Sequence, residues 1–218
     1  MGKGLFITFE GTEGCGKSTQ VELLARRLRA LGHRVRTLRE PGGTPIGEEI
    51  RHTLKHSKNN AAMTAVTELL LMNASRAQLV REVICPAIDA GEIIVCDRFY
   101  DSTLAYQGYG RQLDLNLVKA VVDVAIGEFR PHVTLFLKVS IEISELRRAA
   151  RQSTLPFVRD RLEEEDRKFF ERVIQGYDTI AAADLNRIRV VDGDGAVENI
   201  CARIWEIVQP MLPKVGRW

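Results

Sequence analysis

Gly11-Thr12-Glu13-Gly14-Cys15-Gly16-Lys17-Ser18 is the stretch whose reading decides the fold: a glycine, four residues, then Gly-Lys-Ser. Before it runs Leu5-Phe6-Ile7-Thr8-Phe9-Glu10, short and rich in β formers, and after it Val21, Leu24, Leu28 and Leu31 recur at helical spacing until Gly32. Strand, glycine loop and helix together are the setting a phosphate-binding loop needs. Glycines let backbone N–H groups turn toward one point without Cβ clashes. The helix that starts near Lys17 adds unsatisfied N–H groups and the positive end of its dipole. Lys17 is a mobile point charge for the outer phosphates, and the Ser18 hydroxyl is a hard oxygen ligand suited to Mg2+. The run from Gly11 through Thr19 is therefore read as a cradle for a nucleoside triphosphate.

Working outward, Arg34–Leu38 reads as a second strand, ending in Arg39-Glu40-Pro41-Gly42-Gly43-Thr44, a tight loop at a strand's carboxyl edge. Ile46, Ile50 and Leu54 mark a short helix. A long helix is expected from about Thr64 to Ala90, broken or bent near Pro86. Ile93–Asp97 is apolar up to its last residue, as a buried parallel strand should be. Leu117, Val121, Val124 and Ala125 give another helix face, and Val133–Leu137 a fourth strand. A basic helix covers Ile141–Arg151, a loop Gln152–Val158, and a helix Arg161–Ala183. Ile188–Val191 is a short fifth strand and Ala196–Leu212 a final amphipathic helix. Strands alternating with helices mean an α/β protein with a parallel sheet covered on both faces, in the P-loop nucleoside-monophosphate-kinase-like class.

The 218 residues carry 28% charged and 45% hydrophobic side chains, ordinary for a globular chain. A formal net charge of +2 gives no reason to expect a nucleic-acid partner. Cys15, Cys85, Cys96 and Cys201 lack CxxC spacing and read as small core residues, with Cys15 the exception because it lies in the loop. No apolar run approaches a membrane span and no leader is visible, so no membrane partner and a cytoplasmic location are expected.

Several charged residues sit where chemistry would need them. Asp97 closes a buried strand and suits a Mg2+-bound water, although a helix cap or a pair with Arg98 would also explain it. Arg98 and Arg76 are candidate anion clamps, with a solvated helix face the rival reading for Arg76. Glu13 would repel a triphosphate if it faced one, so it is expected to point toward the acceptor, plain surface exposure being the alternative. Arg147, Arg148, Arg151, Arg159 and Arg161 surround the loop at 152–158. They read either as a closing lid that neutralises the transferring phosphoryl group or as a solvated helix paired with Glu163, Glu164 and Glu165.

Taken in order, Phe9-Glu10-Gly11…Gly16-Lys17-Ser18-Thr19, Arg39-Glu40-Pro41-Gly42-Gly43-Thr44, Asp97-Arg98-Phe99…Ser102-Thr103…Ala105-Tyr106-Gln107-Gly108 and Asp160-Arg161-Leu162-Glu163 resemble the thymidylate kinase family over nearly the whole chain. The resemblance implies a five-stranded parallel sheet, ATP-dependent phosphorylation of dTMP to dTDP with Mg2+, and a homodimer. It implies one kinase domain over 1–218 with a lid at about 147–163. By position, Arg98 matches the grip on the dTMP phosphate and Arg76 the contact to a thymine carbonyl. Thr103 and Gln107 match base contacts, Tyr106 the ring against the sugar, and Glu13 the acid near the 3′-hydroxyl. Pro41, Met72 and Ser102 complete the dTMP set. Lys17, Arg98, Glu13 and Arg151 are the catalytic set, and Ser18 and Asp97 the metal set. The glycine loop has no arginine while the lid has several, which resembles the bacterial type, and Arg151 is favoured over Arg161 as the lid's catalytic arginine. Met72 stands where the family usually stacks an aromatic ring on thymine, which keeps a broader nucleoside-monophosphate or deoxynucleoside kinase as the alternative. A guanine-reading Asn-Lys-x-Asp segment, which a switch protein would need, is absent from the sequence.

Overall fold

The computed structural model describes residues 4–154, 161–162 and 165–213, with side chains for all of these except 151–154. Five strands, β1 (Leu5–Glu10), β2 (Val35–Arg39), β3 (Ile93–Asp97), β4 (Val133–Lys138) and β5 (Ile188–Asp192), form one sheet in the order β2-β3-β1-β4-β5. Every pairing is parallel. From β1 the chain first builds outward through β3 and β2, and afterwards through β4 and β5. The carboxyl end of β1 is thus a switch point, where such sheets leave a crevice for ligands.

Alternation along the central strand explains why both faces are covered. Leu5, Ile7 and Phe9 point to one side and pack with Leu24 and Leu28 of α1 (Lys17–Ala30) and Ile200, Ile204 and Val208 of α9 (Val197–Val208). Phe6 points to the other side. It packs with Leu69 and Leu79 of α3 (Ala65–Leu79) and with Val118, Val122 and Ile126 of α6 (Leu115–Ile126). A third cluster joins Phe136 of β4 to Phe169, Phe170, Val173 and Tyr177 of α8 (Arg167–Ala183), together with Ala105 and Tyr106. Among the described residues no helix is long and apolar enough to cross a membrane.

Some boundaries differ from the sequence reading. The helix expected over 64–90 is continuous, but α3 passes through a π-helical turn at Val80–Ile84 into α4 (Cys85–Asp89). Pro86 has no N–H to donate and its ring crowds the carbonyl four residues back, and a widened turn relieves both. The helix expected from Arg161 begins only at Arg167, because the Asp166 carboxylate accepts from the Phe169 N–H at 2.7 Å and caps it there. The basic helix α7 (Ile141–Thr154) runs through 152–154, which were read as loop; residues 155–158 of that loop lie outside the described residues. The last helix stops at Val208 and continues as a 3-10 turn at Gln209–Met211, where Pro210 cannot donate. A short helix, α5 (Tyr100–Thr103), and a π-helical turn at Leu104–Gly110 follow β3, with no counterpart in the sequence reading.

Candidate active site

The glycine loop leaves β1 with Gly11, Gly14 and Gly16 all at positive φ. At Gly11 an added Cβ would lie 2.5 Å from the Leu137 carbonyl oxygen, so only glycine lets β1 turn this close to β4. The Lys17 side chain curls back over the loop, donating to the carbonyls of Gly11 at 3.0 Å and Thr12 at 2.8 Å. Cys15 is wholly buried, with Sγ 3.5 Å from Lys17 Nζ, so it packs as part of the core. The Ser18 hydroxyl donates to the Asp97 carboxylate at 2.6 Å across the mouth of the loop. Asp97 is thus bonded to Ser18, and among the described residues no ion pair joins it to Arg98. Above the loop, Arg147 donates to the Gly193 carbonyl at 3.1 Å and reaches toward that of Gly14 at 3.5 Å.

A second pocket opens beside the loop's cleft. All nine residues that the resemblance assigns to dTMP line it: Glu13, Pro41, Met72, Arg76, Arg98, Ser102, Thr103, Tyr106 and Gln107. Glu13, Glu40, Lys55 and Arg98 line both this pocket and the cleft over the glycine loop, so they mark where the two meet.

Arg98 is the hub of that junction. Its backbone is left-handed, φ +70°, with its N–H held by the Phe9 carbonyl at 2.9 Å. This turn aims the guanidinium back across the site, where it donates to Glu13 at 2.7 Å, Ser102 at 3.0 Å and the Tyr177 hydroxyl at 3.2 Å. Tyr106 donates its hydroxyl to the other Glu13 oxygen at 2.6 Å. Burial alone would raise the Glu13 carboxyl, but the charges of Arg98 and Lys17 and the Tyr106 hydroxyl outweigh it and hold the group at about 2. The Glu13 carboxylate thus points to Arg98 and Tyr106, at the place where the two cavities meet.

Glu10, behind Arg98, behaves in the opposite way. Burial and the nearby Asp101 charge push it up to about 7, against the pull of Arg98. It accepts from Ser102 at 2.5 Å, the Phe99 N–H at 2.8 Å and Tyr177 at 2.9 Å.

Arg76 does not lie on a solvated face; it is 2% exposed. Its Nε donates to Glu40 at 2.8 Å, its Nη1 to Asn73 at 2.8 Å and Thr103 at 2.9 Å, and its Nη2 to the Phe99 carbonyl at 3.2 Å. Arg76 thereby ties three elements into one pocket wall. Of the arginines grouped as a lid, Arg148 lies over the Phe170 ring at 4.4 Å. Arg161 pairs with Glu68 and donates to the Met63 carbonyl at 2.7 Å, at the acceptor end and not over the loop. Glu165 pairs with Arg111 at 2.5 Å rather than with the lid helix. The Arg151 side chain, Arg159, Glu163 and Glu164 lie outside what the structure describes.

Sequence reasoning passed over Glu40, Glu68, Arg111 and Tyr177. Each works through a partner far away in the chain, which no local pattern signals.

A parallel sheet in this order, a glycine loop at the switch point and a second pocket meeting the loop's cleft at an arginine define a P-loop nucleoside-monophosphate kinase. The model of the family described as thymidylate kinase matches residues 9–204. A thymidylate kinase of Synechococcus sp. is 45% identical over 209 residues, covering 96% of each chain. That of Geobacter sulfurreducens is 44% identical, covering 97% of this chain and 99% of its own. The crystal structure of thymidylate kinase from Ehrlichia chaffeensis superimposes with a TM-score of 0.75 at 30% identity, over 95% of this chain and 99% of that one. The chain belongs to the thymidylate kinase family.

Proposed function

We propose that this protein transfers the γ-phosphoryl group of ATP to dTMP, giving dTDP. The observation that carries the reading is the junction at Glu13 and Arg98, where a phosphate-loop cleft opens into a pocket lined by the whole acceptor set. Residues 1–218 are read as one kinase domain with a lid at about 147–163.

Each side chain then has a task. Backbone N–H groups from Gly11 to Thr19 cradle the triphosphate, and Lys17 exchanges its two carbonyls for phosphate oxygens. Ser18 and Asp97 fit Mg2+, since both offer hard oxygens within 2.6 Å of each other. Two oxygen ligands from the chain suit a Mg2+ ion that completes its shell with water and substrate phosphates. When bound, it would neutralise charge on the β- and γ-phosphates. Arg98 grips the dTMP phosphate with the fork that now holds Glu13. Glu13 remains a carboxylate near neutrality and can accept from a sugar hydroxyl beside Tyr106. The acceptor phosphate is itself a competent nucleophile, so positioning and charge neutralisation carry the rate. Arg151 is the proposed lid arginine.

The test is a coupled ATP-to-ADP assay with dTMP, dUMP, dCMP, dGMP, UMP and thymidine. Strong preference for dTMP supports the reading and shows that Met72 can replace an aromatic platform. Comparable rates on several monophosphates would move the function to a broader nucleotide kinase. A cytoplasmic homodimer is the expected state, and sedimentation at assay concentrations checks the dimer.

A further inference from the structure

The carboxylate of Glu68 is buried behind Gln107, a residue of the pocket wall, and is 1% exposed. Its Oε1 accepts from Gln107 Nε2 at 2.8 Å and Arg111 Nε at 3.2 Å. Its Oε2 accepts from Arg111 Nη2 at 3.0 Å and pairs with Arg161. A carboxylate flanked by two guanidinium groups accepts hydrogen bonds and does not donate them. Gln107 must therefore turn its NH2 end toward Glu68, because the flipped amide would set two acceptor oxygens against each other.

That orientation leaves Gln107 Oε1 on the other side. Gln107 lines the acceptor pocket, and among the described residues no donor reaches its Oε1. We propose that Glu68 is a specificity-determining positioning residue: by fixing the Gln107 amide it presents a carbonyl acceptor to the ring nitrogen of the base. Thymine and uracil carry N–H at that nitrogen and can donate to it. Cytosine carries a lone pair there and is repelled. The proposal rests on the dTMP reading above and deepens it. Arg161 then has a task away from the glycine loop, pairing with Glu68 beside Arg111.

The experiment measures kcat/KM for dTMP and dCMP with the wild-type chain, Glu68→Gln, Gln107→Ala and the double variant, each checked for folding by its melting curve. An amide at position 68 can donate to Gln107 Oε1, so the flip becomes possible. The dTMP:dCMP ratio should then fall at least about tenfold in Glu68→Gln, with dCMP gaining. In the Gln107→Ala background the same change at 68 should leave the ratio where Gln107→Ala alone puts it. Glu68→Asp keeps the charge beside Arg111 but withdraws the oxygen by about 1.5 Å. It should lower the ratio as well, and it stands in if Glu68→Gln does not fold. A wild-type preference that survives these changes at 68, or a change at 68 that acts equally without Gln107, overturns the role of Glu68. A wild-type chain that does not prefer dTMP to dCMP instead refutes the function on which it rests.

Discussion

Replacing Arg98 by alanine and by glycine separates two things this one residue does. The guanidinium holds Glu13, Ser102 and Tyr177, and the backbone beneath it sits at φ +70°. Either substitution removes the charge, and with it the proposed grip on the acceptor phosphate, so kcat/KM should fall at least about a hundredfold in both. Stability should not fall equally. A left-handed backbone costs an L-residue about 1–2 kcal/mol, which alanine keeps and glycine sheds. Glycine gives back about 0.5–1 kcal/mol through the freedom of its unfolded chain. The glycine variant should remain about 0.5–1 kcal/mol the more stable, a melting point higher by about 1–4 °C for a chain of this size. Both should also lose part of the acid-side stability that Glu13 supplies. Its folded value of about 2 lies below the usual 4.5, so its contribution is present above 4.5 and disappears as pH falls toward 2. The full shift corresponds to about 3 kcal/mol. Thermal melts at pH 7 and at pH 3, with the coupled assay, read all three effects. An alanine variant as stable as the glycine variant would refute the backbone argument, and kcat/KM within tenfold of wild type would refute the clamp.

Lys17→Ala should fold and lose transfer activity by about a hundredfold or more, since its charge is proposed for the phosphates and its carbonyl partners can turn to water; a steady-state assay on a variant with native circular dichroism decides it. Arg151→Ala should lower kcat with KM little changed, and an effect confined to KM would count against a lid arginine. Gly11→Ala should melt well below Gly16→Ala: the first forces a Cβ to 2.5 Å from a backbone oxygen, whereas the second meets nothing within 4 Å and bears only its positive φ. Glu10, held at about 7, keeps a proton in the folded chain that the unfolded chain releases above 4.5, so its contribution to stability falls as pH rises from 4.5 to 7. Urea titrations across that window should show the decline, and Glu10→Gln should flatten it.

The parts of this fold that can be read along the chain are those built from neighbours in sequence. The glycine loop, its flanking strand and helix, and the apolar runs of β3 and β4 each carry their signal locally. Asp97 and Arg98 also carry a local signal, because a polar pair stands out at the end of an apolar strand. The burial of Arg76 was not legible, although the residue was singled out as a candidate clamp, since its helix mixes polar and apolar residues on one face. Only Glu40, arriving 36 positions earlier in the chain, explains why a guanidinium is buried there. Glu68 was invisible for the same reason: three of its partners come from Gln107, Arg111 and Arg161. The segment Leu104–Gly110 escaped because its turn is wider than the 3.6-residue period that marks a helix.

That widened turn also limits how the length of this region can vary. The Arg111 N–H bonds to the Tyr106 carbonyl, five positions back, at 2.8 Å. Deleting one residue between Leu104 and Gly110 would let the coil tighten to the common helical pitch at little local cost. Everything downstream of the deletion would turn by about 100° relative to what precedes it. Arg111 would swing off Glu68, and the Gly110 carbonyl off Arg172, which now donates to it at 2.9 Å. The number of residues in the turn is therefore a constraint in its own right, separate from the identity of Tyr106 and Gln107: a shift in length would misplace partners that no single substitution within the turn touches.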